Sequence, residues 1–367
     1  MKVIAVSNYF MFHDSATWDE LVSHKDVDFT FLETDRTLSD DRKKMGYVLE
    51  SRPYIKQSSD MSDDELNKTF AGVDFVIYGS CEDQRVSKIC KNVPNLLVAC
   101  EHLSKRKNNF LNFLAVIKWH LLDKRYVNSG EKFLLAKSSK VYKEFKHFGY
   151  KGHGYRYGYF PELKTIDKER DPYSLIWYGR VLSWKRVDYA LYALKYLKKA
   201  DSRYHLDIIG EGANLDNIKK LTKKLKLEDS VTFHGFMNHD EIMEILPAHS
   251  IHMFTSDNGE GWGVALNEGL NAGCICFANS GAGSTKFLVD NECGFTFHNK
   301  RTLKKQLDKY LLMNASEIET MRTNARKRIS ELWNNETAAF RLYELLSSLY
   351  NHKEFDKYQT GPISKIK

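Results

Sequence analysis

No run of apolar residues in this sequence approaches the roughly 18 residues that a membrane-spanning helix needs. The residues from Met1 to Val6 are too few for the apolar region of a signal peptide, and they are typical of a β-strand. We therefore expect a cytoplasmic protein. With 367 residues, of which 42% are hydrophobic and 28% are charged, the chain is long enough for two globular domains.

The six cysteines lack the spacing of a metal site or a disulfide framework, because no Cys-x-x-Cys motif occurs among them. They lie in apolar surroundings, and we interpret them as small buried thiols: Cys81, Cys90, Cys100, Cys274, Cys276 and Cys293. The one Asp-x-Asp pair, Asp26-Val27-Asp28, lies in an early, edge-like segment rather than in a metal-binding context. We therefore expect no metal site.

Patterns of nucleic-acid binding are also missing, although the net charge of +7 and the pI near 8.8 favour an anionic partner. The basic residues form no stripe interleaved with aromatic residues, and neither a helix-turn-helix nor a zinc-finger pattern occurs. Phosphorylated metabolites and an anionic membrane surface remain as partners. No Gly-x-Gly-x-x-Gly motif follows the first strand, which argues against a dehydrogenase with a nucleotide cofactor.

Short apolar strands alternate with helical segments along both halves of the chain. This alternation predicts an α/β protein with two doubly wound, Rossmann-like domains built on parallel sheets. A charged, non-periodic segment at 164–171 predicts the linker, so we expect one domain at 1–165 and a second at 166–336. We also predict a first helix that begins at Ser15 with Asp14 or Ser15 as its cap, and an irregular segment at 34–64.

A basic, amphipathic helix is predicted over residues 105–126. Apolar residues recur there at helical spacing, and lysine and arginine occupy the other positions. Two interpretations stay open. The helix either lies on an anionic membrane, or packs its apolar stripe on the sheet with solvated basic ends.

The stretch from Thr255 to Gly273 predicts a strand end, a polar loop and then a helix. Glu260 lies in the loop, and Glu268 is predicted about two helical turns into the helix, on the order of 10 Å from Glu260. The unpaired N–H groups at the start of a helix attract anions such as phosphate. The stretch therefore favours a ligand with polar groups at both ends and an anionic middle.

A second candidate segment runs from Tyr178 to Lys185. Gly179 closes a predicted strand, Arg180 leaves it, and Lys185 opens the next helix. Ligands of doubly wound sheets bind beyond the carboxyl ends of the strands, where both cations are expected. A planar guanidinium and a mobile ammonium together suit a diphosphate. The alternative is that both are ordinary surface charges.

These two segments resemble the motifs of retaining nucleotide-sugar glycosyltransferases with the GT-B fold, in glycosyltransferase family 4. The family's Gly-Arg-x4-Lys motif corresponds to Gly179, Arg180 and Lys185, and its Glu-Gly-aromatic-Gly-x4-Glu motif to Glu260, Gly261, Trp262, Gly263 and Glu268. The resemblance covers roughly residues 175–297. The sequence of the second motif is also similar to that of transferases of bacterial capsule, exopolysaccharide and O-antigen assembly.

The resemblance implies a role for each motif residue. Gly179, Arg180 and Lys185 would hold the donor diphosphate, Glu268 the ribose, and Phe236 the nucleobase. Glu260 would face the transferred sugar together with the backbone amides of Gly261, Trp262, Gly263 and Val264. The implied donor is a nucleotide diphosphate sugar, with UDP-sugar favoured over GDP-sugar, and the implied acceptor is a glycan or a lipid-linked glycan. No metal is required, and the C-terminal helix from about 337 to 367 would return to the first domain across a cleft.

The first half matches the family less closely. Its first strand-to-helix loop, which contains Asn8 and His13, has no Gly-Gly pair and is therefore expected to face the acceptor rather than donor phosphate. His102 follows the strand at 95–100, roughly where the family keeps a sugar-contacting histidine. In the second half, Lys286 stands where the family commonly has a glutamate, so the sugar preference does not follow from the resemblance.

Two rival functions stay open. One is a sugar-nucleotide epimerase or hydrolase on the same architecture, because a fold alone does not fix the chemistry. The other is a non-catalytic partner subunit that kept the fold.

Overall fold

The fold is described by a computed structural model, which covers residues 1–35, 37, 49–103, 131–147, 149–164 and 166–366. The predicted basic helix at 105–126 lies outside the described residues. Backbone contacts divide the chain into two units. The first takes the described residues of 1–104, 108–162 and 333–367, and the second is the continuous segment 163–332.

The first unit contains a parallel sheet in the order β3-β2-β1-β4-β5-β6-β7. Its strands are β1 (Lys2–Ser7), β2 (Asp28–Glu33), β3 (Ile55–Gln57), β4 (Phe75–Tyr78), β5 (Asn95–Cys100), β6 (Glu131–Ala136) and β7 (His153–Arg156). Its helices are α1 (Phe12–Val22), α2 (Asp63–Phe70), α3 (Gln84–Cys90) and α4 (Val141–His147), together with a C-terminal helix described below. Apolar residues of the central strands form its core, among them Ile4, Val76 and Leu96.

The second unit contains a parallel sheet in the order β10-β9-β8-β11-β12-β13. Its strands are β8 (Asp171–Tyr178), β9 (His205–Ile209), β10 (Val231–Gly235), β11 (His249–Phe254), β12 (Ile275–Asn279) and β13 (Gly294–Phe297). Its helices are α5 (Val187–Leu197), α6 (Leu215–Leu225), α7 (His239–Ile245), α8 (Ala265–Asn271), α9 (Thr285–Leu288), α10 (Lys300–Leu311) and α11 (Ala315–Lys327).

The central strands of the second sheet are buried on both faces, as parallel strands between two layers of helices must be. Every residue of β11 and β12 is buried, and Ile251, Met253 and Phe277 lie in one apolar core with the inner face of α5. Burial on both faces explains why β12 is a nearly continuous apolar run in the sequence, whereas β11 also buries Ser250 and two histidines, His249 and His252. It also fixes where each strand ends, which places the polar loops that follow.

The last helix of the described chain, α12 (Asn335–Tyr350), belongs to the first unit and packs against α1. The ring of Tyr343 stacks on His24 with centroids 3.9 Å apart, and its hydroxyl donates to Asp26 Oδ2 at 3.0 Å. This arrangement and the two parallel sheets confirm the predicted α/β fold class and the return of the C-terminal helix to the first half of the chain. No described helix has both the length and the apolar character needed to cross a membrane.

Several predicted boundaries are wrong. Helix α1 begins at Phe12, so Asp14 lies in its first turn, where its carboxylate pairs with Lys137 instead of capping the helix. The strands β3 and β7 were not predicted, and β3 lies in the segment 34–64 that we expected to be irregular. Helix α8 begins only at Ala265, which puts Glu268 in its first turn rather than two turns in.

All six cysteines are free thiols. Burial is confirmed for Cys90, Cys274, Cys276 and Cys293, whereas Cys81 and Cys100 are half-buried.

Candidate functional site

The candidate site lies at the carboxyl ends of β8 and β11, the two central strands of the second sheet. From β8 the connections run through β9 to β10, and from β11 they run the other way through β12 to β13. The connections after β8 and β11 therefore lead in opposite directions along the sheet, and open parallel sheets bind ligands in the crevice at such a reversal, outside the carboxyl ends of the strands. The two sequence motifs follow these two strands.

The loop after β8 carries Gly179, Arg180 and Lys185. The N–H group of Gly179 donates to the carbonyl of Ile209 at 3.0 Å, so this loop lies directly against the end of β9. The approach is so close that a Cβ on Gly210, whose φ is +123°, would stand 2.0 Å from the carbonyl oxygen of Gly179. The Arg180 side chain is exposed beyond this tight crossing, and Lys185 ends a 3-10 turn, Ser183–Lys185.

An ion pair joins the two motifs. Lys185 Nζ lies 2.5 Å from Glu260 Oε2, and the two side chains are only 18% and 12% exposed. The backbones are tied as well, because the Thr255 hydroxyl donates to the Lys185 carbonyl at 2.6 Å, and the Asp257 N–H donates to the Trp184 carbonyl at 2.9 Å. The cation of one loop and the carboxylate of the other are thus held as one unit, a direct contact that the sequence did not predict.

The second glutamate, Glu268, is buried, with 6% of its surface exposed. Each of its carboxylate oxygens has a partner. The Tyr178 hydroxyl donates to Oε2 at 2.8 Å, and His239 Nε2 lies 3.0 Å from Oε1. Burial and the neighbouring carboxylate raise the pKa of Tyr178 well above its ordinary value. The hydrogen bond to Glu268 raises the pKa of His239 above 6.5.

Neither contact of Glu268 was predicted from the sequence, although Tyr178 opens the second candidate segment. Tyr178 had a usable signal, because it is the last residue of a central strand, directly before Gly179. His239 had none, since it follows β10, which is remote from both motifs in sequence. The Tyr178 ring also stacks on His252 with centroids 5.0 Å apart, and burial lowers the pKa of His252 to about 3, so this neighbour is neutral at pH 7.

The indole of Trp262 belongs to the core and not to the crevice. It is 1% exposed, and its Nε1 donates to Asn267 Oδ1 at 2.9 Å. The carbonyl of Trp262 accepts a hydrogen bond from the Ser284 hydroxyl at 2.7 Å, which joins this loop to the loop after β12. Among residues 261–264, Trp262 can therefore offer a ligand its backbone only.

Gly263 has a φ of +87°, and a Cβ there would lie 2.4 Å from the ring of Phe254, so only glycine fits. Phe236, which follows β10, is 51% exposed and free of any core role. Lys286 is exposed on the short helix α9.

The predicted residues of the first unit lie at the carboxyl edge of its own sheet. Asn8 follows β1, His13 lies in the first turn of α1 with its ring 5.7 Å from that of Tyr159, and His102 is buried after β5. Beside them Lys137 Nζ lies 3.0 Å from Asp14 Oδ2 in a buried ion pair that sequence analysis missed. Burial raises the pKa of Asp14, although Lys137 opposes the shift.

Within the described parts of both units, no group of three or more His, Cys, Asp and Glu side chains could hold a metal ion. Arg180 and Lys185 are cations that suit an anionic group of a ligand. Glu268 is a buried carboxylate that suits hydroxyl donors.

Comparison with known proteins identifies a family for the second unit and a fold for the chain. Residues 161–328 match the family model described as "Glycosyl transferases group 1". An uncharacterized glycosyltransferase of Haemophilus influenzae is 30% identical over 156 residues, which are 42% of this chain and 43% of the relative. The chain therefore spans less than half the length of this relative.

Two solved structures share the fold over nearly the whole chain. Anabaena Alr3699/HepE in complex with UDP has a TM-score of 0.65 at 14% identity, covering 95% of this chain and 100% of the other. The pneumococcal O-GlcNAc transferase GtfA in complex with UDP and GlcNAc has a TM-score of 0.59 at 12% identity, covering 96% and 99%. The chain thus has the fold of the GT-B glycosyltransferases, and its residues 161–328 match the family of glycosyl transferases group 1.

Proposed function

We propose that this protein is a retaining glycosyltransferase that moves a sugar from a nucleotide diphosphate sugar to a glycan or lipid-linked acceptor in surface polysaccharide assembly. The observation that carries the proposal is the pairing of Lys185 with Glu260 across the crevice between β8 and β11. A cation for the leaving diphosphate and a carboxylate for the sugar are needed side by side at the glycosyl-phosphate bond.

Arg180 and Lys185 bind the diphosphate in this proposal. Cleavage of the glycosyl-phosphate bond places negative charge on the leaving group, and cations held in position stabilise that charge. Lys185 already lies 2.5 Å from Glu260. A phosphate oxygen of the donor therefore either replaces the Glu260 carboxylate as the partner of the Lys185 ammonium or binds that ammonium together with it. Charge development on the phosphate is thereby coupled to the carboxylate that faces the sugar. No metal has a role in this scheme.

Glu268 binds the ribose. Its carboxylate has about four lone-pair positions, of which Tyr178 and His239 use two. The remaining positions can accept hydrogen bonds from two ribose hydroxyls. A nucleobase then lies near Phe236, whose ring is exposed after β10. The UDP present in the HepE and GtfA structures supports a UDP-sugar over a GDP-sugar.

Retention of configuration follows from attack on the face that the phosphate leaves. The bond between the anomeric carbon and the phosphate oxygen breaks with its electron pair going to the phosphate, and the acceptor oxygen bonds to the same face. The acceptor's proton passes to the leaving phosphate. Glu260 stabilises the sugar by hydrogen bonding and is not the nucleophile in this scheme. Asn8 and His13 stay predictions for the acceptor side, and His102 stays a prediction for a catalytic residue that contacts the sugar.

The test is a release assay with UDP- and GDP-sugars, with and without oligosaccharide and lipid-linked acceptors. Release of nucleoside diphosphate only when an acceptor is present, with the α or β configuration of the donor kept in the product, is the expected result. Equal release without acceptor would identify a hydrolase, and an altered sugar in the donor an epimerase. Tight binding of the donor, with no turnover for any acceptor tested, would identify a non-catalytic subunit.

A further inference from the structure

The buried carboxylate of Glu268 is held on both of its oxygens by side chains from other elements. Tyr178, at the end of β8, reaches Oε2 at 2.8 Å, and His239, at the start of α7, lies 3.0 Å from Oε1. A polar side chain that is 6% exposed would be costly without partners, so the two bonds offset the cost of its burial. They also fix the direction in which its remaining lone pairs point.

Both partners are themselves held in place. Residue Asn238, directly before His239, caps α7: its side chain accepts from the Glu241 N–H at 2.9 Å, and Glu241 Oε2 accepts from the Asn238 N–H at 2.8 Å. The Tyr178 ring is stacked on buried His252. The position of Glu268 is therefore set by two elements, β8 and α7, that both precede it in sequence and are separated from each other by about 60 residues.

We propose that His239 is a positioning residue for the nucleotide: it holds the Glu268 carboxylate in the orientation that two ribose hydroxyls require, and it does so best in its protonated form. This inference rests on the proposed function and goes beyond it, since neither sequence motif contains His239. The ligand class is a nucleoside diphosphate. Tyr178 performs the same positioning without a change of charge.

The charges around His239 set the direction of the effect. Glu268 on α8 and Asp240 on its own helix act on the imidazole, and both favour the protonated form. Tyr178 approaches the same carboxylate from β8 as a neutral hydroxyl donor. A charge-assisted hydrogen bond is roughly twice as strong as a neutral one, and a cationic imidazole also attracts the anionic nucleotide. Affinity for a nucleoside diphosphate therefore falls as pH rises and His239 loses its proton.

The experiment measures the Kd of UDP and of GDP by calorimetry from pH 6 to pH 9 for the wild type and His239→Gln. Glutamine keeps a neutral N–H donor and removes the titration. For each nucleotide, the Kd of His239→Gln is divided by the Kd of the wild type at the same pH. This ratio cancels the titration of the nucleotide's own phosphates. We expect the wild type to bind about five-fold more tightly at the acidic end, with the advantage lost at the alkaline end.

His234→Gln is the matched control, because His234 Nε2 also lies 3.0 Å from a carboxylate, that of Asp207, in the same unit. This variant should keep the wild-type pH profile. Tyr178→Phe should weaken binding equally at all pH values. The His239 side chain is 47% exposed, so its replacement should leave folding intact, and His239→Asn provides a second variant if His239→Gln unfolds.

Parallel pH profiles and equal affinities for wild type and His239→Gln would overturn the inference while leaving the proposed function in place. The inference would also be overturned if His234→Gln lost the tighter binding at acidic pH to the same extent as His239→Gln. If neither UDP nor GDP bound the wild type at any pH, the donor assignment itself would fail, and the positioning role with it.

Discussion

Replacement of Lys185 by methionine is the sharpest test of the crevice between β8 and β11. Methionine keeps the unbranched, flexible stem and removes the charge. Loss of one preorganised group that stabilises developing charge typically costs about 10²-fold to 10³-fold in kcat. We expect a loss of this size in kcat/KM for sugar transfer, with the protein still folded.

The same change also affects stability, because Glu260 would lose its partner at 2.5 Å. Breaking a buried pair costs about 3–5 kcal/mol and an exposed one about 0–1 kcal/mol. With side chains 18% and 12% exposed, this pair lies between those limits, and we expect a loss of about 2 kcal/mol. For a unit of this size that lowers the Tm by roughly 4–8 °C.

A double variant separates the two effects. Lys185→Met with Glu260→Gln removes both charges, so the Tm should return most of the way to the wild-type value while transfer stays low. Lys357→Met is the matched control, since Lys357 Nζ also lies 2.5 Å from a glutamate, Glu344, but is 56% exposed and belongs to the first unit. A folded Lys185→Met variant with unchanged kcat/KM would refute the assignment of this lysine to the diphosphate.

Three further predictions concern the second unit. Gly263→Ala should destabilise it by about 2 kcal/mol or more in urea unfolding, because the new Cβ meets the Phe254 ring at 2.4 Å, whereas Gly72→Ala, with φ +67° but open space, should cost less. Trp262→Phe should lower the Tm through loss of the 2.9 Å bond to Asn267, yet leave the Kd of UDP unchanged; weaker UDP binding would mean that the indole contacts the donor. Burial favours the neutral form of Asp207, but hydrogen bonds from His249 and His234 prevail and lower its pKa from 3.8 to about 2. Its ionised form therefore adds about 2 kcal/mol of stability above pH 4 that is lost as pH falls toward 2, so the stability difference between wild type and Asp207→Asn should shrink over that range; a constant difference would contradict the shift.

The basic helix predicted at 105–126 lies outside the described residues, and its predicted contact with a membrane can be tested directly. If it lies on a membrane, the wild-type protein should co-float with anionic vesicles and not with neutral ones. Absence of co-flotation with anionic vesicles would favour the alternative, packing on the sheet.

The sequence was sufficient for the fold wherever burial dominates local structure. Strands β11 and β12 are buried on both faces, and the largely apolar segments at 250–254 and 275–278 predict strands close to the observed bounds, His249–Phe254 and Ile275–Asn279. The two missed strands, β3 and β7, are three and four residues long and occupy the two edges of the first sheet. Strands this short show no clear periodicity. The outer side of β7 pairs with residues from the far end of the chain, where the Ile363 N–H donates to the Arg156 carbonyl and the Ile366 N–H to the Gly154 carbonyl, and no local pattern predicts that pairing.

The site was predictable to the extent that its residues lie near one another in the chain. The Glu260 to Glu268 motif is local, and the residues of both motifs do follow adjacent strands. The Lys185–Glu260 bond and the partners of Glu268 depend on contacts between elements 29 to 90 positions apart. Such contacts follow from sheet topology rather than from spacing. Likewise, the motif predicts Trp262 as a site residue, although its indole is buried in the core of the second unit.

The packing of α12 on α1 has a consequence for how the protein is made on the ribosome. Tyr343 bonds to Asp26 across 317 positions, so the first unit cannot complete its contacts until nearly the whole chain has emerged. At synthesis rates of about 5–20 residues per second, helix α1 waits roughly 15–60 s for this partner. The described residues of the second unit all lie between 163 and 332, so this unit can close first. The part of the chain translated first is therefore expected to finish folding last, and chaperones that shield apolar surface on nascent chains should bind α1 during this interval.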